Sequence, residues 1–265
     1  MRNKNTIKSI NKKVIISGNV IEIFSYENAY LKGYENTSSK KGRACSIDTD
    51  EQTKSVNREK TLNRARSRVR RLANANPQLT KFITLTFADN ITDLKVANKK
   101  FCAFIKRLNY YSQNAYLTNK VEYIAVVEFQ KRGAIHYHML CNLPYIPAKQ
   151  LEKIWKNGFV KINKIDSVDN IGAYVTKYMT KDHNDTRLVG NRSYFTSQGL
   201  NEPVEIYNES IEINKNSLAR EPYKTTFHNE QLGNIEYTQY VLKTANDYIF
   251  ISMPYDLNNA LATSS

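Results

Sequence analysis

Two runs of strand-forming residues stand almost back to back in this chain, over 121–130 and 134–142, with only Lys131-Arg-Gly133 between them. So short and polar a link reads as a hairpin turn, which makes the two runs antiparallel neighbours. The second run reads Ile135-His-Tyr-His-Met-Leu140, and strand alternation turns His136 and His138 to one face. Glu128 lies near the end of the first run, where the hairpin brings it beside His136. Two imidazoles and a carboxylate suit a divalent ion with open positions. Cys141 is the one cysteine nearby, which argues against a closed structural zinc site. Residue types alone leave a second reading, two solvent-facing histidines on an edge strand.

Some forty residues on comes Tyr174-Val-Thr-Lys-Tyr-Met-Thr-Lys181. Asp166 or Ser167 can cap a helix from about Val168 to about Lys181. In a helix of 3.6 residues per turn, Tyr174, Lys177, Tyr178 and Lys181 share one stripe about 100° wide. Ile171, Val175 and Met179 make the neighbouring apolar stripe that faces a core. A lysine beside a phenol favours the phenolate and can neutralise a phosphate. An amphipathic helix with half-packed tyrosines and snorkelling lysines is the alternative.

Three motifs in order, Phe82-Ile-Thr-Leu-Thr-Phe87, His136-Tyr-His138 and Tyr174 to Lys181, make the chain resemble the HUH endonuclease superfamily of rolling-circle replication initiators. The resemblance covers about residues 80 to 182, and the tyrosines four apart are similar to the two-tyrosine phage and plasmid type. It implies metal-dependent nicking and joining of single-stranded origin DNA through a 5′-phosphotyrosine, leaving a 3′-hydroxyl for a host polymerase. It implies His136, His138 and Glu128 as ligands of Mg²⁺ or Mn²⁺. Tyr174 and Tyr178 become nucleophiles, with Lys177 and Lys181 stabilising charge. Within the superfamily the alternatives are a single-strand transposase or a mobilisation relaxase. Outside it, the alternative is a non-enzymatic, basic nucleic-acid-binding protein.

Charge agrees with an acidic partner: the net formal charge is +14. Much of it sits between Ser55 and Asn74, where Arg58, Lys60, Arg64, Arg66, Arg68, Arg70 and Arg71 are opposed by Glu59. These arginines are candidate phosphate contacts on a helical arm that Leu62 and Val69 can tack down. Arg187, Arg192 and Tyr194 are further candidates for touching DNA. Three scattered cysteines give no disulfide framework, and no apolar run approaches a membrane span, so a cytoplasmic protein is expected. No phosphate-binding loop occurs, so strand separation is expected to need a separate host helicase.

The expected organisation is a polar N-terminal segment (1–53) with strands around Ser17-Gly-Asn19, a basic arm (54–76), a nuclease core (77–200) and a C-terminal accessory segment (201–265). The core pattern reads as strand 81–88, helix 92–112, the hairpin, helix 147–156, strand 158–164 and the tyrosine helix. That order predicts an α+β fold, a ferredoxin- or RRM-like antiparallel sheet backed by helices. Strand-like runs at 203–207, 236–243 and 247–253 follow.

Overall fold

In the computed structural model these patterns resolve, in chain order, into β1 (Lys8–Ser17), β2 (Val20–Lys32), α1 (Glu51–Asn74), β3 (Lys81–Phe87), α2 (Leu94–Tyr116), β4 (Tyr123–Phe129), β5 (Ile135–Cys141), α3 (Ala148–Trp155), β6 (Gly158–Lys164), α4 (Ile171–Thr176), β7 (Tyr194–Thr196), β8 (Val204–Tyr207), β9 (Ile211–Ile213), β10 (Tyr223–Asn229), β11 (Gly233–Val241) and β12 (Tyr248–Phe250). The structure describes residues 7–33, 50–116, 120–130, 132–165, 170–179, 186–188, 191–245 and 248–250. The chain divides into two units, residues 48–202 and residues 1–47 with 203–265.

The first unit is an α+β layer structure. Its sheet runs β6-β3-β5-β4-β7, antiparallel throughout. β5 is therefore a central strand, and all seven of its residues are buried. This removes the reading of His136 and His138 as solvent-facing residues on an edge. Strand alternation divides the sheet residues between two cores. Ile83, Leu85, Ala125, Val127, Tyr137 and Met139 pack with α2 and α3 residues such as Phe101, Phe104, Leu151 and Trp155. Phe82, Ile124, Val126 and Leu140 point the other way, under Val69 and Leu72 of α1 and Val175 of α4. The histidines share this second face, because they alternate with Ile135, Tyr137 and Met139.

Two helices depart from expectation. The basic helix starts earlier than Ser55, at an Asp50 cap whose carboxylate accepts from the Thr53 amide. The tyrosine helix is shorter than the stripe suggested. It spans Ile171–Thr176, and its cap is Asn170, which accepts from the Ala173 amide at 2.9 Å. Past Thr176 the chain tightens into i→i+3 bonds, Tyr178 N to Val175 O and Met179 N to Thr176 O. The expected caps Asp166 and Ser167, and Lys181, lie outside the described residues.

In the second unit, β1 and β2 pair across a Gly18-Asn19 turn in which Gly18 takes φ 59°. The sheet order is β10-β11-β2-β1-β8, so strands from both ends of the chain are hydrogen-bonded to each other. Val14, Ile16, Ile21, Ile206 and Leu242 form its core. Strand β10 has no counterpart in the sequence pattern. Every one of its residues is exposed, so no burial imposes the alternation that marks a half-buried strand. Among the described residues no helix is long and apolar enough to cross a membrane.

Candidate active site

The second face of the β6-β3-β5-β4-β7 sheet carries the chemistry. Register sets it out in rows across the strands. One row runs Phe159, Thr86, His136, Glu128, and the next runs Lys161, Thr84, His138, Val126, Tyr194. Glu128 stands directly opposite His136, as the hairpin requires, yet its carboxylate reaches diagonally to His138, with Oε2 2.7 Å from Nε2. Cys141 belongs to the opposite core and cannot join the histidines.

Both imidazoles are held by polar neighbours. The hydroxyl of Thr84 meets Nδ1 of His138 at 3.1 Å. A hydroxyl both donates and accepts, so Thr84 can support either tautomer without moving. The Gln130 amide lies 3.2 Å from Nδ1 of His136 and also accepts from Nε of Arg132. The other His136 nitrogen, Nε2, is buried without a hydrogen-bond partner among the described residues. Turning the Gln130 amide over would set its oxygen on Nδ1–H and leave Nε2 with a free lone pair, with loss of the Arg132 hydrogen bond. Burial is the largest influence on both rings and holds both pKa values below the ordinary histidine value. Glu128 opposes it in both cases. Neutral imidazole is the ligating form.

These donors are of the kinds that a divalent ion takes. A carboxylate oxygen and an imidazole nitrogen already converge, and an orphaned imidazole nitrogen lies on the same face. The set is not a finished cage. Among the described residues no three His, Cys, Asp or Glu side chains are gathered closely enough to hold a metal.

Above this face sits the tyrosine segment. The ring of Tyr178 stacks on that of His138, with 4.0 Å between centroids and 26° between planes. Its hydroxyl donates to the Tyr174 hydroxyl at 3.2 Å. Phe82, 1% exposed, is the floor beneath both phenols, its centroid 5.2 Å from each, and beneath His138 at 5.5 Å. Lys177 holds its ammonium 4.0 Å from the Tyr174 ring centroid and 5.6 Å from that of Tyr178. Burial, then the Tyr174 hydroxyl, then the charge of Glu128 push the Tyr178 phenol up to about 12. A cation near Glu128 acts in the opposite sense.

What aims this segment is a buried contact that the sequence reading missed. Asn74, at the end of α1, accepts the Gly172 amide at 2.7 Å and donates to Asn170 Oδ1 at 3.1 Å. A Cβ on Gly172 would lie 2.0 Å from the carbonyl oxygen of Arg70, so only glycine lets the helices approach this closely. The available signal was an asparagine following the apolar stripe of Leu62, Val69 and Leu72, a polar group on a face that has to be buried.

The basic helix thus has two sides. Leu62, Val69, Leu72 and Ala73 are buried. The arginines are not all unopposed, since Glu51 lies 3.7 Å from Arg58 and Glu202 makes a two-point pair with Arg68. Arg66 hydrogen-bonds Asn63 at 3.4 Å. Arg64 is exposed, and Arg70 and Arg71 are half-buried. Elsewhere, Arg187 donates to the Gly133 carbonyl and lies 3.8 Å over the Phe129 ring, while Arg192 is exposed.

Residues 80–183 match the family model for replication-associated proteins of the ORF2 type. The matched segment runs from just before β3 through α4 and so contains both histidines, Glu128 and both tyrosines. The match supports a role in replication initiation, with DNA as the partner. No curated protein and no solved structure matches the chain.

Proposed function

We propose that this protein nicks and rejoins single-stranded DNA at a replication origin through a tyrosine on the α4 segment. The observation that carries the reading is the contact between Tyr178 and His138, which joins the candidate nucleophile to the candidate ion ligands. In this reading His136, His138 and Glu128 hold Mg²⁺ or Mn²⁺. A bound ion of that kind polarises a phosphate and offsets the negative charge that builds on it.

The chain's own residues do the rest. A phenol oxygen attacks the phosphorus, a new tyrosine–phosphorus ester forms, and the bond to the 3′ oxygen breaks. The attacking phenol gives up its proton to solvent. The 3′ oxygen departs as a hydroxyl after taking a proton from solvent. Lys177 lies over both rings and stabilises the phenolate. The phosphotyrosine ester keeps the energy of the broken bond, so a free 3′-hydroxyl can reverse the step and seal a strand. Two tyrosines permit a second cut while the first is occupied. The 5′ polarity and the use of a host polymerase and helicase follow from the resemblance to rolling-circle initiators.

The test is direct. The full chain is incubated with single-stranded origin DNA and Mn²⁺, and a protein–DNA adduct stable to boiling in detergent is sought. An adduct on Tyr174 or Tyr178 supports the reading, and its complete absence overturns it.

A further inference from the structure

Phe159 is a large apolar side chain, 66% exposed, on the edge strand β6. Single exposed apolar residues are ordinary. This one differs in its place. It occupies the same row as Thr86, His136 and Glu128 on the site face, two strands from His136, a distance of about 10 Å at the usual strand spacing. The helices α1 and α4 cover Phe82, Ile124 and Leu140 on that face, and Phe159 packs in neither core. Lys161, exposed, is the next residue along β6 on the same face.

The backbone holds Phe159 rigidly. Its neighbour Gly158 has φ 148°, and a Cβ there would lie 2.4 Å from both Ala88 N and Thr86 O. Ala88 N donates to Asn157 O at 2.8 Å, and the Trp155 indole donates to Thr86 O at 3.0 Å. β6 is thereby pinned against β3 where Phe159 begins to project. An exposed ring on a pinned backbone, with a cation two residues along the same face, is what a base and its phosphate need, because every base has a face to stack and a phosphate to neutralise.

We propose that Phe159 is a stacking platform for a base of single-stranded DNA flanking the reacting phosphate, and that Lys161 carries the adjoining phosphate. The inference rests on the reading that this sheet face receives single-stranded DNA.

The experiment uses the full chain and a fifteen-residue oligothymidine in EDTA, where no cleavage occurs, with fluorescence anisotropy read at several salt concentrations. Stacking on one base carries ~1–3 kcal/mol, so Phe159→Ala should bind roughly 5- to 140-fold more weakly. Its salt slope and melting temperature should stay at the wild-type values, and Phe159→Trp should restore binding. Lys161→Ala should instead flatten the salt slope by about 0.7. With 5-iododeoxyuridine in the oligonucleotide, irradiation should cross-link the peptide containing Phe159. Binding by Phe159→Ala within twofold of wild type overturns the platform, as does a loss of affinity accompanied by a reduced salt slope. The adduct assay separates the two readings. An intact adduct with no effect at Phe159 refutes the platform alone, and a missing adduct with the stacking pattern present refutes nicking alone.

Discussion

Tyr178 lies stacked on His138, 4.0 Å between ring centroids, while the same imidazole meets Glu128 through Nε2. A residue from the hairpin's first strand, one from its second and one from beyond α4 thus form a single column. Removing any one of them changes the surroundings of the other two.

His136→Ala and His138→Ala should both abolish adduct formation and any rise in melting temperature on adding Mn²⁺. The stability costs should differ. His136→Ala gives up the Gln130 contact and a buried ring, but also a buried nitrogen with no partner among the described residues, so its cost should be the smaller of the two. His138→Ala removes the stack with Tyr178 and Phe82 and should cost about 1–2 kcal/mol. Denaturant melts with and without EDTA read both. Cleavage by either variant at the wild-type rate in EDTA would exclude a catalytic ion at these histidines.

The double variant Tyr174→Phe with Tyr178→Phe keeps both rings on Phe82 but removes both hydroxyls. It should bind single-stranded DNA as wild type does and yield no adduct. Tyr178→Phe alone should reduce the first cut more than Tyr174→Phe, since Tyr178 is the ring in contact with His138. Tyr174→Phe should mainly impair strand transfer. Mass spectrometry of the trapped peptide identifies the linked residue, and a linkage on any other residue refutes the assignment.

Gly172→Ala forces a Cβ onto the Arg70 carbonyl and should destabilise the protein by about 1–3 kcal/mol. Asn74→Ala strands the Gly172 amide in a buried place and should cost a similar ~1–3 kcal/mol. Both should lower adduct yield more than DNA affinity, because they displace the tyrosines and leave the exposed arginine Arg64 intact. Equal losses of binding and adduct would point to global unfolding instead.

Neutralising Arg64, Arg66 and Arg70 together should flatten the salt dependence of DNA binding by about 0.7–0.9 log units per lost phosphate contact. Arg68→Gln should change it less, because Glu202 already engages that guanidinium. An unchanged slope in the triple variant makes the helix a solvated face with a structural role.

Much of the unit that carries the histidines was legible in the chain because the signals are local. Period-two alternation fixed which of residues 135–141 share a face, and a three-residue link fixed the hairpin and the pairing of Glu128 with His136. Apolar period marked Val175 and Met179 as the buried side of the tyrosine segment. Tertiary structure decided the rest, because it depends on contacts between residues far apart in sequence. Only strand order reveals that β5 is central, so that its histidines are buried and the diagonal reach of Glu128 to His138 is possible. Only the packing of α1 on α4 shows why Asn74 and Gly172 are what they are. The early end of α4 is equally hidden, since a helical stripe can continue on paper where the chain, bonded i→i+3, turns Tyr178 onto His138. The pairing of β1 and β2 with strands near 205 and 238 has no local signature at all, because register between distant strands is set by the core they bury together.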